Sequence, residues 1–180
     1  MIMKTKTLIF IYLAFVSVSL ASSLSQAVPV EGDPAPDFKL RDSIGADFSL
    51  SSLCGEHAKE KKVIVLDFWA TWCFPCRRTM PLVDALYAKY RAKGVEVLFI
   101  NFKESESVVR KFLASISLSS RVLVDPDGTV GKKFGIGGLM GLPRTMVLGR
   151  DCKVKRIFFG ERKDLIESLE KEIEKALAAK

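Results

Sequence analysis

Residues 63–81 read VIVLDFWATWCFPCRRTMP, and no other stretch restricts the fold as strongly. An apolar run over 63–70 stops abruptly at Trp72-Cys73-Phe74-Pro75-Cys76. A run of that length, bounded by a change of pattern, reads as a buried strand. Beyond it, Leu82, Val83, Leu86, Tyr87 and Tyr90 recur at helical spacing on one face. Two cysteines therefore sit where a buried strand becomes a helix.

That position has chemical consequences. Cys-x-x-Cys sets two sulfurs across the first helical turn, within reach of a small-ring disulfide. Cys73 falls near the N-cap, where unpaired N–H groups and the positive end of the helix dipole favour a thiolate. Arg77 and Arg78 bring further positive charge to the same turn. The thiolate is the species that attacks a disulfide sulfur, so Cys73 reads as the nucleophile. Cys76, one turn inside, is placed to resolve a mixed disulfide. Pro75 is tolerated in the first turn, where its missing N–H costs little. The competing reading is a pair of buried thiols or half a zinc site. Zinc needs a second ligand pair, and Cys54, His57 and Cys152 do not form a second close Cys-x-x-Cys. Neither a metal nor a cofactor is expected.

The stretch resembles the active site of the thioredoxin superfamily, in particular its TlpA/ResA-like extracytoplasmic branch. Trp72 precedes the first cysteine, Pro75 lies inside the motif, and Pro81 follows Cys76 by five residues. Asp67 matches the family position of a buried acid behind the disulfide. Gly141-Leu142-Pro143-Arg144-Thr145 resembles the cis-proline loop. The resemblance runs from about Pro34 to the C-terminus and implies a thiol–disulfide oxidoreductase. It also implies a docking surface made of Trp72, Phe74, Pro75, Leu142, Pro143 and Arg144. Relatives often carry a further acid three residues after the second cysteine. Here that position is Thr79, which shifts the proton-accepting role toward Asp67. Without the resemblance, Asp67 reads as an edge position reaching solvent and Pro143 as a proline before an edge strand. Arg144 stands where relatives more often have Thr or Ser. It either lies exposed beside Cys73 or points to solvent.

The rest of the chain supplies the setting. Lys4 and Lys6 precede a charge-free apolar run over 8–20, and small residues follow near 21 and 25–27. This is the layout of an export signal. The run is short against the ~20 residues of a spanning helix, so residues 1–27 are expected to be a cleaved signal, with an uncleaved membrane anchor as the alternative. Residues 28–180 then form one domain. Without the two signal-region lysines the net charge falls from +7 to +5, spread among acids rather than gathered in a stripe. Nucleic-acid binding is not expected.

Phe38, Leu40, Phe48 and Leu50 alternate with polar residues around 43–46, predicting a β-hairpin over 37–40 and 47–50. Strands are predicted over 95–102, 121–124, 144–148 and 153–159. Helices are predicted over 105–116, 130–135 and 164–177, with a glycine-rich loop over 135–141. The order gives an α/β sandwich with a mixed central sheet, which the resemblance makes a thioredoxin-like three-layer sandwich with an added N-terminal hairpin. Cys54 and Cys152 remain. Both belong at the end of the sheet away from Cys73 and form either a structural disulfide or two packed thiols.

The expected activity is extracytoplasmic reduction of disulfides in exported proteins such as apocytochrome c. The resemblance implies electrons from a membrane thiol reductase, and the protein is expected to be a monomer that meets the membrane only if its N-terminal segment stays attached. The alternatives on the same fold are a disulfide-forming oxidase, a peroxiredoxin-like antioxidant and a redox-inert binding module. A peroxiredoxin would want Thr three residues before its reactive cysteine, where this chain has Ala70. Both cysteines being present argues against an inert module.

Overall fold

The computed structural model describes residues 27–137 and 141–179. The expected export segment therefore lies, but for Ala27, outside the described residues, as do positions 138–140 of the glycine-rich loop. The strands are β1 (Lys39–Asp42), β2 (Asp47–Ser49), β3 (Val63–Trp69), β4 (Val95–Phe102), β5 (Arg121–Asp125), β6 (Arg144–Leu148) and β7 (Val154–Phe159). The helices are α1 (Phe74–Tyr90), α2 (Glu106–Leu113), α3 (Thr129–Lys133) and α4 (Leu165–Ala178). The strands form one seven-stranded sheet in the order β2-β1-β5-β4-β3-β6-β7.

β3, β4 and β5 are parallel, and the remaining pairings are antiparallel. The crossovers through α1 and α2 step the same way across the sheet. Right-handed crossovers that step one way lay their helices on one face. Core residues of α1, α2 and α4 accordingly share one cluster with Val63, Val65 and Trp69. The opposite face packs Ile64, Leu66 and Phe68 against Phe38, Phe48, Val130, Phe134 and Ile136. Both faces of β3 are covered, which is why its sequence is apolar at every position but Asp67.

The hairpin differs from expectation: β1 lies two residues further along and β2 ends one residue earlier. β1 runs on to Asp42 because the Asp42 carboxylate accepts the N–H groups of Ile44 (3.1 Å) and Ala46 (2.8 Å) and so builds the turn itself. β1 also pairs with β5, so the hairpin extends the main sheet.

On α1 the buried face is Cys76, Thr79, Met80, Val83, Leu86 and Tyr90. Leu82, expected on that face, is 53 % exposed. The stripe that begins at Cys76 and recurs every three or four residues passes Leu82 by. A short 3-10 turn, Arg91–Lys93, follows, and Gly94 at φ 85° ends it in the left-handed region.

Candidate active site

β3 ends at Trp69, and the turn that follows is closed by the Cys73 N–H bonding the Ala70 carbonyl at 3.0 Å. Cys73 is the N-cap of α1, in extended conformation, and its Sγ accepts the Cys76 N–H at 3.3 Å. The two cysteines form a disulfide with Cα atoms 5.3 Å apart. Cys73 retains 5 % exposure and Cys76 none. Trp72 and Phe74 flank Cys73 and stand out at 64 % and 68 % exposure. Pro75 is half-buried.

The two arginines are not equivalent. Arg78 forms a two-pronged pair with Glu161, from the segment between β7 and α4, which offsets its charge. The Arg77 guanidinium lies over the rings of Phe74 (5.4 Å) and Phe112 (5.5 Å). Of the two cations expected to favour a Cys73 thiolate, Arg78 is thus occupied elsewhere. Between α1 and α2 an open groove of about 410 Å³ is lined by Phe74, Arg77, Met80, Pro81 and Phe112 among others.

Asp67 lies in the middle of β3, 1 % exposed. Because β3 is flanked by β4 and β6, this is no edge position. Strand alternation sends its side chain to the same face as Val65 and Trp69, the face on which Cys73 and Cys76 pack. Thr145 of β6, its partner in register, donates its hydroxyl to Asp67 Oδ2 at 2.7 Å. Oδ1 has no hydrogen-bond partner among the described residues. Burial pushes the Asp67 carboxyl up to about 7, and the Thr145 bond opposes that rise. At neutral pH such a group can take or give a proton. Thr79, where relatives often carry an acid, is buried and turns its hydroxyl to the Pro75 (3.3 Å) and Cys76 (3.2 Å) carbonyls.

Leu142-Pro143 is a cis peptide. Pro143 is buried and Leu142 half-buried. The Pro143 carbonyl accepts the Gly160 N–H at 2.9 Å. The strand that follows is internal, paired with β3 on one side and β7 on the other. Arg144 departs from both expectations, since it is neither beside Cys73 at the surface nor in solvent. It is 2 % exposed, donates to the Phe134 carbonyl at 2.7 Å, and lies 4.8 Å over the ring of Phe159, its partner in register. The reason is alternation: Thr145 takes the face toward Asp67, so Arg144 is turned to the other. Gly135 leaves it room, since a Cβ there would lie 2.8 Å from Nη1.

Cys54 and Cys152 are joined by a disulfide with Cα atoms 5.1 Å apart. It sits near the start of β3, where the Lys62 N–H bonds the Leu53 carbonyl, and the Gly55 N–H bonds the Arg150 carbonyl beside it. This is the end of β3 opposite to Cys73. Thr145, Glu161 and Glu104 (a carboxylate that holds Thr71) are absent from the residues that sequence reasoning selected. Thr145 was within reach of a register argument from Asp67. The other two depend on contacts made across the fold.

Residues 31–157 match the model of the AhpC/TSA family. The thiol-disulfide oxidoreductase ResA of Geobacillus thermodenitrificans (strain NG80-2) is 32 % identical over 173 residues, covering 94 % of each chain. ResA of Bacillus subtilis (strain 168) is 32 % identical over 130 residues, 72 % of this chain and 68 % of that one. A crystal structure from Chlorobium tepidum, assigned as a thiol:disulfide interchange protein DsbE, superposes with TM-score 0.73 at 35 % identity, over 83 % of this chain and 99 % of that one. The chain therefore belongs to the AhpC/TSA family, as a thioredoxin-like thiol–disulfide redox enzyme.

Proposed function

We propose that this protein is an exported thiol–disulfide reductase that acts on other exported proteins through Cys73 and Cys76. The reading is carried by one observation: a bonded cysteine pair of graded exposure at the start of α1, with Cys73 reaching the surface between Trp72 and Phe74. In the reduced form the Cys73 thiolate attacks one sulfur of a client disulfide. The client S–S bond breaks, a Cys73–client bond forms, and the other client sulfur leaves as a thiolate that takes a proton from water. Cys76 then loses its proton toward the Asp67 carboxylate and attacks Cys73 Sγ, releasing the second client thiolate. Two electrons have passed to the client, and Cys73–Cys76 is oxidised.

Trp72, Phe74, Pro75 and the Leu142-Pro143 loop form the docking surface. Arg144 is withdrawn from it by burial and supports the loop from behind. Clients include the cysteines of apocytochrome c. A membrane thiol reductase returns the electrons, and residues 1–27 direct the chain out of the cytoplasm. Asp67, whose carboxyl burial pushes up to about 7, is the proton acceptor for Cys76 in this step.

Equilibration with glutathione tests the direction. A potential near thioredoxin's ~−270 mV is expected, and a value near ~−120 mV would make the protein an oxidase. Trapping with Cys76→Ser should leave clients bonded to Cys73. Insulin disulfides should be reduced, whereas peroxide turnover without insulin reduction would reassign the chain to antioxidant chemistry.

A further inference from the structure

The Glu104 carboxylate gathers three donors. The Thr71 N–H bonds Oε2 at 2.7 Å, the Asn101 side-chain amide bonds the same oxygen at 2.7 Å, and the Thr71 hydroxyl bonds Oε1. Asn101 is fully buried in β4, opposite Trp69 in register. Glu104 can turn back to this place because Lys103 takes a left-handed conformation, φ 61°, with its N–H fixed to the Asp125 carbonyl at 2.9 Å. The chain reverses just beyond the end of β4 and delivers a carboxylate to the turn that precedes Cys73.

That turn has few other restraints. The Ala70 carbonyl holds the Cys73 N–H, and Thr71 and Trp72 bridge the gap between them. A backbone N–H given to a carboxylate makes a stronger bond than one given to a neutral acceptor. Fixing Thr71 fixes the path of the next two residues, Trp72 outward and Cys73 at the N-cap. The carboxylate also sets a negative charge two residues from the nucleophile. It opposes the pull of the helix terminus toward thiolate. A less stabilised thiolate means a less stabilised reduced form, and so a more reducing disulfide. Charged groups on the surrounding elements include Asp67 of β3, Arg77 and the Glu161-paired Arg78 of α1, Glu161 itself, Lys103 beside Glu104, and Lys111 and the paired Glu106 and Arg110 of α2.

We propose that Glu104 is a positioning residue for the redox pair: it clamps Thr71 so that Cys73 is presented correctly, and its charge biases the pair toward reduction. This rests on Cys73 and Cys76 being the active site.

Glu104→Gln and Glu104→Ala separate the two parts. The glutamine amide oxygen can accept from Thr71 N–H and Asn101, and its NH2 can donate to the Thr71 hydroxyl, so geometry is retained and charge is lost. The experiment uses the full chain and three readouts: insulin reduction, equilibrium with glutathione, and alkylation of Cys73 against pH in a Cys76→Ser background. Glu104→Ala should slow insulin reduction on the order of tenfold, as expected for a misplaced reacting group. Glu104→Gln should keep most of the rate that Glu104→Ala loses, while its Cys73 titrates at lower pH and its potential moves toward oxidising. The parent rate in a folded Glu104→Ala, or an unmoved Cys73 midpoint in Glu104→Gln, would overturn the proposal. If Glu104→Ala does not fold, the glutamine variant still decides. If the parent itself fails to reduce insulin, the function proposed above is at fault, and the alkylation profile still judges Glu104.

Discussion

Asp67 is almost fully buried and has one hydroxyl partner, and its proton affinity is the result. Below its usual 3.8, folded and unfolded chains both carry the proton, and burial has no pH-dependent cost. As pH rises toward about 7 the unfolded chain ionises while the folded chain holds its proton, so stability falls. Above that the loss levels off, at ~4 kcal/mol from the size of the displacement. Asp67→Asn removes the slope. The variant should match the parent near pH 4 and melt higher than it at pH 8, while its resolution of mixed disulfides slows. Parallel melting curves would remove Asp67 from the buried acid's role. At this scale the placement of the two cysteines was legible from local spacing, and that of Asp67 and Trp72 only through the family resemblance, since spacing alone left Asp67 as an edge position. Thr145 and Glu104 were not, because one depends on strand register and the other on a left-handed residue at Lys103, which nothing in the sequence marks. Arg144 was misplaced for a related reason: its burial depends on which face Thr145 takes and on the gap at Gly135.

α1 must bury one face against the sheet and hold Cys76 at its first turn. Its stripe runs through Met80 and Val83, not Leu82. Met80→Ala should destabilise by ~2–5 kcal/mol, the usual cost of emptying a buried site. Leu82→Ser should stay within ~0.5 kcal/mol of the parent. Urea unfolding of both variants checks the pair, and equal losses would mean the helix is rotated from the orientation described. The elements themselves were readable in kind and order. β3 and β4 were marked by mostly apolar stretches, broken only at Asp67 and at Glu96 and Asn101, and α4 by its regular spacing, since burial on two faces or one leaves a plain pattern. The face of α1 was blurred because Leu82 and Tyr87 are apolar residues outside or at the margin of the stripe. Surface apolar residues of this kind are ordinary and carry no structural signal.

Across the molecule, the two disulfides sit at opposite ends of β3. Cys54–Cys152 closes a segment of 98 positions. Chain-entropy reasoning gives such a closure ~4–5 kcal/mol. Replacing both cysteines by serine should lower stability by about that amount and leave the glutathione equilibrium of Cys73–Cys76 unchanged. Non-reducing peptide mapping that finds both thiols free would reduce them to packing residues. The parallel crossovers and the antiparallel return were legible from element order, and with them the shared end of the sheet for Cys54 and Cys152. Only 5 % of Cys73 shows, between two aromatic side chains that stand well clear of the surface. So narrow an opening admits a thin, pliable strand of polypeptide and excludes the curved exterior of a finished globule. Selection then falls on the maturity of the client rather than on its composition. A cystine in a newly exported, still unfolded chain should be reduced far faster than the same cystine once that chain has folded, so the protein's opportunity is brief and closes when its client matures.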